Sequence, residues 1–375
     1  MYMKYIIPSI LLSLLLAACG GGGSENAIAP VVLKPVIEAK LYDTSYKNFK
    51  SYPIDTLILP VSNYGISGWE PMGYGFGEFN KQGELGVFIA NQNYTIQQHS
   101  LETVSSDSKY LSDFTFWTIN SDKTLTKVSS VKGCLHPRKA VVADFNKDGL
   151  PDVFVACHGY DAPPAPGESS KLLLSTSRGT YTMTDVGVPE FTHGASAADI
   201  NNDGYPDIAV AAGKSVYFYI NQRNGTFVKD TTLISNIASF GYYSVELIDV
   251  NKDGVIDVVA GGAEMTDPAV TKIFYGNSNS SFGETSTLIP AVQGNSNIID
   301  FTLVDNKLYV GRTYDVTRAE GFYGGWALQV VDLSTGTSNL LIDKPGRYPF
   351  WFAPKTVNGQ NGVVPFTGSN TSFYN

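Results

Sequence analysis

Short apolar runs separated by polar turns recur through the middle of the chain. Ala140–Ala143 and Val153–Ala156 flank the first of three acidic loops, Ile208–Ala211 follows the second, and Val258–Ala260 follows the third. These runs are rich in β-branched and small apolar residues and are bounded by turn residues, which is typical of buried strands and not of amphipathic helices. The pattern therefore predicts that each acidic loop is the tip of a β-hairpin.

The three loops share one pattern, D-x-N-x-D-G-x-x-D, over Asp144–Asp152, Asp199–Asp207 and Asp249–Asp257. Oxygens of the side chains at positions 1, 3, 5 and 9 and of the carbonyl at position 7 can converge on a hard cation, and the glycine at position 6 allows the sharp bend. Three carboxylates packed this closely would repel one another without a cation. The predicted ligands of about three calcium ions are Asp144, Asn146, Asp148, Leu150, Asp152, Asp199, Asn201, Asp203, Tyr205, Asp207, Asp249, Asn251, Asp253, Val255 and Asp257.

An EF-hand begins with a similar loop, but it requires a bidentate Glu at position 12. Position 12 is Val155, Val210 and Ala260 in the three loops. The flanking runs also lack a helical pattern. Both observations argue against EF-hands.

The spacing of the loops indicates the architecture. Asp144 and Asp199 are 55 residues apart, and Asp199 and Asp249 are 50 residues apart. A period of this length suits a four-stranded propeller blade and is too long for a nonapeptide calcium solenoid. Each period contains four runs that can form strands, so the pattern predicts an all-β protein.

The loops and their apolar flanks resemble the FG-GAP/VCBS repeats of integrin-alpha-type β-propellers, and Phe240-Gly241 stands before the third loop as the family's FG does. The resemblance covers about 136–290. It implies a propeller fold whose hairpins bind calcium. It implies little about activity, because propellers carry many functions.

Further repeats extend the propeller in both directions. Gly77–Ala90 is a decayed copy of the motif that keeps a hairpin frame but has lost two carboxylates, so no calcium is expected there. Strand patterns continue beyond 295, and Ile54–Val61 can complete the last blade. The frames predict a propeller over 38–375 of six four-stranded antiparallel blades, with calcium loops in the first hairpin of three. The long first interval leaves room for a seventh blade.

The N-terminus carries the pattern of a bacterial lipoprotein. Residues 1–18 form a signal peptide with a positive Lys4 and the apolar run Tyr5–Leu16, and Leu16-Ala-Ala-Cys19 matches a lipobox. Lipidation of Cys19 would anchor the chain to a membrane. Residues 19–37 would be a flexible tether. The alternative is an ordinary secretory signal in which the cysteine is incidental.

The sorting signal and the charge of the chain indicate its cellular location and the classes of partner that it can bind. Gly20 follows Cys19 where an inner-membrane retention signal often has Asp, which favours the outer membrane of the bacterial cell envelope. The formal net charge is −9, and removal of the segment containing Lys4 makes it −10. Three divalent ions would bring the mature chain to about −4. The chain has no basic run, so nucleic acid is not expected as a partner.

Two cysteines remain in the propeller. Cys134 and Cys157 flank the first acidic hairpin at the end away from its loop. An exported compartment permits a disulfide between them. Two free buried thiols are the alternative at this stage.

Three of the four histidines fall at equivalent strand ends. His136 and His193 precede inner strands of neighbouring blades, and His158 follows a second strand, so all three should share the face opposite the acidic loops. Arg138 and Asp161 complete the set of ligand-binding candidates, beside a Pro-rich insertion, 159–168, that also contains Glu168. The simpler alternative is that the histidines bond loop backbone and seal the blade junction.

The sequence therefore predicts a calcium-binding, lipid-anchored envelope protein that acts as a binding or adhesion module for a glycan or a protein. One alternative is a polysaccharide hydrolase or lyase that uses His136, His158 and His193. Another is a structural component of an envelope assembly. No nucleophile elbow, phosphate loop or HExxH motif is present, so no catalytic residue is assigned and an enzyme is the less favoured reading.

Overall fold

The computed structural model describes residues 69–375, apart from 94, 95, 97, 214, 240, 267–269, 350, 351 and 366–371. The predicted signal peptide (1–18), the tether (19–37) with Cys19, and the predicted strand Ile54–Val61 lie outside the described residues. The regular secondary structure of the described residues is almost entirely β-strand.

Twenty strands form five antiparallel four-stranded sheets, each built from strands consecutive in sequence. Blade 1 consists of β1–β4, at Trp69–Gly77, Gly86–Asn93, Asp113–Ile119 and Leu125–Lys132. Blade 2 consists of β5–β8, at Pro137–Ala143, Asp152–Cys157, Glu168–Ser177 and Thr180–Glu190. Blade 3 consists of β9–β12, at Thr192–Ala198, Asp207–Ala212, Ser215–Asn221 and Phe227–Asp230. Blade 4 consists of β13–β16, at Tyr242–Ile248, Asp257–Gly262, Lys272–Gly276 and Phe282–Leu288. Blade 5 consists of β17–β20, at Asn297–Val304, Lys307–Thr313, Gly325–Asp332 and Ser338–Pro345.

The remaining described elements are small. Strands β21 (Phe352–Val357) and β22 (Gln360–Pro365) form a two-stranded hairpin. Blade 1 carries the helix α1 (Leu101–Ser106) between its second and third strands, and Ser100 caps it by accepting a hydrogen bond from Thr103 N. Short 3-10 turns occupy Ser108–Tyr110 and Glu264–Thr266. None of the helices in the described part of the chain is both long and apolar enough to cross a membrane.

Burial follows strand order within each blade. Strand β6 is buried at all six positions, whereas the outermost strand β8 is mostly exposed. The first strands of successive blades, β1, β5, β9, β13 and β17, lie next to one another around a common axis. Inner strands are covered on both faces by neighbouring blades, which explains why they read as continuous apolar runs.

The ring is closed by apolar packing between neighbours. Phe352 and Val363 of the β21–β22 hairpin pack with blade 5, while Ala353 and Val364 pack with blade 1. Successive strand residues point to opposite faces, so one hairpin covers both neighbours. The hairpin therefore occupies the sixth position of the ring.

The prediction of six four-stranded blades is wrong. The described residues form five such blades, and the sixth frame contributes only the β21–β22 hairpin. Near the C-terminus, Tyr374 makes an isolated bridge to Val363. The all-β propeller with four-stranded antiparallel blades is confirmed, as is the hairpin of blade 1 from the decayed repeat.

A buried cluster of charges crosses the axis. Lys139 Nζ of β5 lies 2.9 Å from Glu246 Oε1 of β13 and 3.6 Å from Asp300 Oδ1 of β17. Both carboxylate side chains are fully buried. Burial opposes the charge of Lys139, but the two carboxylates outweigh it and raise the pKa of Lys139. Asp300 Oδ2 also accepts the Phe352 amide at 2.7 Å, which ties the cluster to the closing hairpin.

Removing the cation from this cluster should destabilise the propeller. We expect Lys139→Met to lower the free energy of unfolding by about 3–5 kcal/mol, because it leaves two buried carboxylates without their shared cation. Chemical denaturation of the full chain measures this. Lys109→Met is the control, since Lys109 pairs with Asp107 at an exposed site and its loss should change stability little. Equal stability of Lys139→Met and the unaltered protein would contradict the prediction.

Candidate functional site

The inner strand of every four-stranded blade contains a β-bulge at the same place. The pairing of β5 with β6 shifts between Pro137 and Lys139, so Arg138 is the extra residue. The same shift in the other blades singles out Met72, His193, Tyr243 and Ile299. A bulge turns the extra side chain out of the regular alternation, and bulges are frequent beside functional sites.

The five bulge residues line one cavity on the axis, at the end of the propeller opposite the acidic loops. Its volume is about 60 Å³, and Tyr323 and Tyr348 also line it. We call this opening the axial mouth. Its bulge residues comprise a cation, an imidazole, a phenol and two apolar side chains. Equivalent backbone positions therefore present dissimilar chemistry to one space.

Sequence reasoning identified Arg138 and His193 here but missed Met72, Tyr243 and Ile299. A signal was present in the motif itself: Arg138, His193 and Tyr243 each stand six residues before the first Asp of an acidic loop. Met72 stands six residues before Glu78 of the decayed repeat.

A larger cleft opens beside the axial mouth on blade 3. Its volume is about 690 Å³, and His193 and Tyr243 line both spaces. Glu190 accepts hydrogen bonds from the Tyr217 hydroxyl at 2.7 Å and from Lys229 Nζ at 2.6 Å. Phe191 adds an aromatic side chain to the wall. The cleft thus combines aromatic surfaces with an ordered polar cluster.

The structure brings the three predicted histidines together. The ring centroids of His136 and His158 are 4.9 Å apart, and those of His158 and His193 are 4.4 Å apart. His193 also packs on Tyr243, with centroids 4.6 Å apart. The expectation that strand ends of neighbouring blades converge on this face is confirmed.

All three imidazoles are held neutral. Burial is the largest cause and the Arg138 charge adds to it, lowering the pKa of His158 to about 3. Burial is also the largest cause that lowers the pKa of His136 and His193 well below the usual value, and the Arg138 charge again adds to it. Neutral imidazole is the form that binds metals or accepts a hydrogen bond.

Of the acidic residues in the insertion, one lies beside the histidines and the other does not. Asp161 lies 3.8 Å from His158 Nε2 through Oδ1 and 3.9 Å from Arg138 through Oδ2. Glu168, which the insertion also contains, accepts the Leu135 amide at 2.8 Å, and burial raises its pKa to about 7. It therefore supports the base of the insertion.

Cys134 and Cys157 form a disulfide, with Cα atoms 6.2 Å apart. Each cysteine lies within two residues of a histidine of the cluster. Next to it, the His158 amide donates to the His136 carbonyl at 2.8 Å. The covalent link and this hydrogen bond fix the end of the β5–β6 hairpin that carries both rings.

At the opposite end, the three acidic loops fold alike. The first Asp of each loop accepts the amides of positions 5 and 6, at 3.0 and 2.9 Å for Asp144. The residue at position 4 has a positive φ in all three loops, near 60°, and the glycine at position 6 has a φ of 84–91°. The side-chain oxygens of positions 1, 3 and 5 are gathered on a tight turn, an oxygen-only donor set that fits a hard cation.

The Asp at position 9 faces inward in every loop. Asp152 accepts the Phe145 amide at 2.8 Å through Oδ2 and the Ser175 amide at 2.7 Å through Oδ1. Asp207 and Asp257 bond equivalent amides. Each carboxylate oxygen can accept more than one bond, so these contacts are compatible with binding a cation as well. Burial raises the pKa of Asp152 and of Asp207 to about 7 and that of Asp257 to about 6.

The second loop differs from the others in one contact. Arg223 Nε lies 3.1 Å from Asp203 Oδ2, and the Arg223 side chain is 66% exposed. In the first and third loops the equivalent Oδ2 accepts the side-chain amide of Asn146 or Asn251. A cation in the second loop would compete with this exposed guanidinium for the oxygen.

Comparison with known proteins agrees with the repeat pattern. The FG-GAP-like repeat model matches residues 144–210 and 199–260. Human integrin alpha-7 is 31% identical over 145 residues, which are 34% of this chain and 12% of that protein. Human integrin alpha-6 is 29% identical over 133 residues, 32% of this chain and 12% of that protein. Integrin alpha pat-2 of Caenorhabditis elegans is 28% identical over 177 residues, 38% and 14% of the two chains. The chain thus spans about an eighth of the length of these relatives.

Solved structures with a similar course of the chain include a putative 6-phosphogluconolactonase from Bacteroides uniformis, with a TM-score of 0.47 and 13% identity over 77% of this chain and 80% of that one. A periplasmic gluconolactonase from Pseudomonas aeruginosa has a TM-score of 0.44 and 14% identity, over 77% of this chain and 81% of that one. The repeat match and the blade architecture carry the assignment. Residues 144–260 are FG-GAP-like repeats, and the chain that contains them is an FG-GAP β-propeller.

Proposed function

We propose that this protein is a calcium-stabilised ligand-binding module of the bacterial cell envelope, and that its ligand is a glycan bound at the axial mouth and the adjoining cleft. The observation that carries the proposal is the set of five equivalent bulges, which direct five dissimilar side chains to one opening. A rigid scaffold with varied side chains at one end suits recognition.

The cleft chemistry favours a glycan over a flat protein partner. Its volume of about 690 Å³ lies in the range of small-ligand sites, about 300–1,000 Å³. Tyr243 and Phe191 offer aromatic faces for sugar rings, and Glu190 and Lys229 offer polar contacts to hydroxyls. Arg138 Nε is buried and has no hydrogen-bond partner among the described residues, so it suits an oxygen acceptor on the ligand.

Acid–base catalysis by the histidines is the second candidate, because Asp161 approaches His158. A general base works best with a pKa near the working pH. Burial and Arg138 depress the pKa of His158 to about 3, which makes it a weak base. Binding is therefore the better use of this face.

Calcium bound in the three acidic loops would support the glycan site by making the hairpins that carry it more rigid. Asp144, Asp199 and Asp249 with their loop partners supply oxygens only, which is the preference of Ca²⁺. The integrin relatives and the repeat model support this assignment for residues 144–260. Lipidation at Cys19 would place the module on the envelope, with the outer membrane the favoured location.

The ligand prediction is tested with variants of the shared wall. Tyr243→Ala and His193→Ala should each weaken glycan binding at least about tenfold, a loss of about 1.4 kcal/mol, because both residues line the mouth and the cleft. The measurement is a glycan array followed by titration of the best ligand in calcium. Tyr275→Ala is the matched control, since Tyr275 lies on β15 and bonds Thr287.

Unchanged affinity in both wall variants would contradict the proposed site. Retained binding together with lost turnover in His193→Ala would favour the enzyme. Calcium uptake should be unaffected by any of these substitutions, because the loops lie at the other end of the blades.

Chelation should lower the melting temperature. At a hundredfold excess over Kd, each bound ion stabilises the native state by about 2.7 kcal/mol. Calorimetry should detect about three ions, and Asp203→Ala should remove one. Arg223→Ala should increase the calcium affinity of the second loop, because it removes the guanidinium that competes with the cation for Asp203. No calcium uptake and an unchanged melting temperature in chelator would overturn the assignment.

Cys19→Ser should release the protein from the membrane fraction. The tether contains no other long apolar segment, so the acyl chains would be the anchor. Fractionation after a high-salt wash is the measurement. A Cys19→Ser protein that stays in the membrane pellet would show that lipidation is not what holds it.

A further inference from the structure

Two of the buried histidines stand on one rung of a braced hairpin. His136 immediately precedes β5 and His158 immediately follows β6, and the His158 amide donates to the His136 carbonyl. The Cys134–Cys157 disulfide closes the same end. His136 is 1% exposed and His158 is 2% exposed, so both rings are held by packing.

A carboxylate completes this pair from the adjoining loop. Asp161 follows His158 by three residues, and its Oδ1 lies 3.8 Å from His158 Nε2. Tyr160 fixes the loop beside it by donating to the His99 carbonyl at 2.7 Å. Gly159 and Gly167 pinch the base of the loop, where a Cβ on Gly159 would stand 2.5 Å from the Gly167 carbonyl carbon. Asp161 is thus presented by an anchored loop.

The donor atoms converge. Among the described His, Cys, Asp and Glu side chains, His136, His158 and Asp161 are the one group of three whose ligand atoms all lie within 4.8 Å of one another. Two ligands of a tetrahedral zinc ion are about 3.4 Å apart, given bonds of about 2.0–2.2 Å. The His158–Asp161 distance of 3.8 Å is close to that value.

The hydrogen bonds around the rings fit metal ligands. His158 Nδ1 lies 3.3 Å from the Gly159 carbonyl, and donation of its N–H there leaves the Nε2 lone pair directed toward Asp161. A backbone acceptor on the second nitrogen is the usual support of a metal-binding histidine. His136 is placed differently: the Gly159 carbonyl is near, but neither ring nitrogen makes a well-formed hydrogen bond to the described residues. A buried polar atom without a partner calls for a ligand.

The donor set selects the class of ion. Imidazole nitrogen suits zinc and its transition-metal neighbours, whereas calcium prefers oxygen. Arg138 is the nearby charge that opposes a cation, and Asp161 offsets it by facing the guanidinium with Oδ2 at 3.9 Å. Three protein ligands leave one position of a tetrahedral ion for a further ligand.

We propose that His136, His158 and Asp161 form a binding site for a divalent transition metal of the zinc type, separate from the oxygen-only acidic loops. The site does not depend on the glycan proposal, because neither the cleft nor Tyr243 supplies a ligand to it. The fourth position of a tetrahedral ion there would be taken by water.

The test uses the full chain in excess calcium, so that the acidic loops are filled. Titration with Co²⁺ should give one bound ion with the visible absorption of a tetrahedral nitrogen–oxygen site, and Zn²⁺ should displace it. His158→Ala should raise Kd more than about 100-fold, beyond the 10–100-fold typical of losing an outer-shell partner. Asp161→Asn should also weaken binding and change the cobalt spectrum.

The controls separate this site from adventitious binding. His99→Ala removes the one histidine outside the cluster and should leave the cobalt titration unchanged. Asp161 is on the surface of its loop, so Asp161→Asn decides the matter even if His158→Ala misfolds, and calcium uptake and circular dichroism report the fold. Absence of Co²⁺ uptake, or an unaltered titration and spectrum in Asp161→Asn, would overturn the proposal.

Discussion

The fold depends on one buried carboxylate repeated in three blades. In each of these blades the Asp at position 9 of the loop accepts one hydrogen bond from an amide of its own loop and one from an amide at the end of the third strand. These residues are Asp152, Asp207 and Asp257. Three segments are joined by a single fully buried side chain. Because register determines which residues face the neighbouring blades, this contact sets both the loop geometry and the inter-blade packing.

Fixing the register at the loop end of a hairpin also determines which position becomes the bulge at the other end. Each first hairpin runs from an acidic loop to a bulge, and the residue six before the loop becomes the bulge residue at the axial mouth. The loop end is repeated because its backbone bonds require the same side chains. The bulge end is free to differ, so Arg138, His193 and Tyr243 occupy equivalent positions with different chemistry.

What could be predicted followed from local repetition. The hairpins, the four-strand period and the meeting of His136, His158 and His193 all come from strand ends counted along the chain. The Lys139–Glu246–Asp300 cluster could not be predicted, because its members come from three blades and share no motif. The blade count was wrong for a similar reason: strand patterns near the C-terminus do not reveal that a two-stranded hairpin is wide enough to close the ring. The bulges were missed because a register shift is a property of two strands together.

The two ends of the propeller are connected by strands and not by shared ligands. A cation at Asp144 cannot touch the mouth, yet the β5–β6 hairpin that carries Asp144 also carries His136, Arg138 and His158. Neutralising the loop carboxylates would remove repulsion at the tip and reduce fraying of the hairpin. The Cys134–Cys157 disulfide limits fraying at the other end of the hairpin. Rings that are buried and held neutral beside Arg138 need such support, since an opened hairpin would admit water and allow them to protonate.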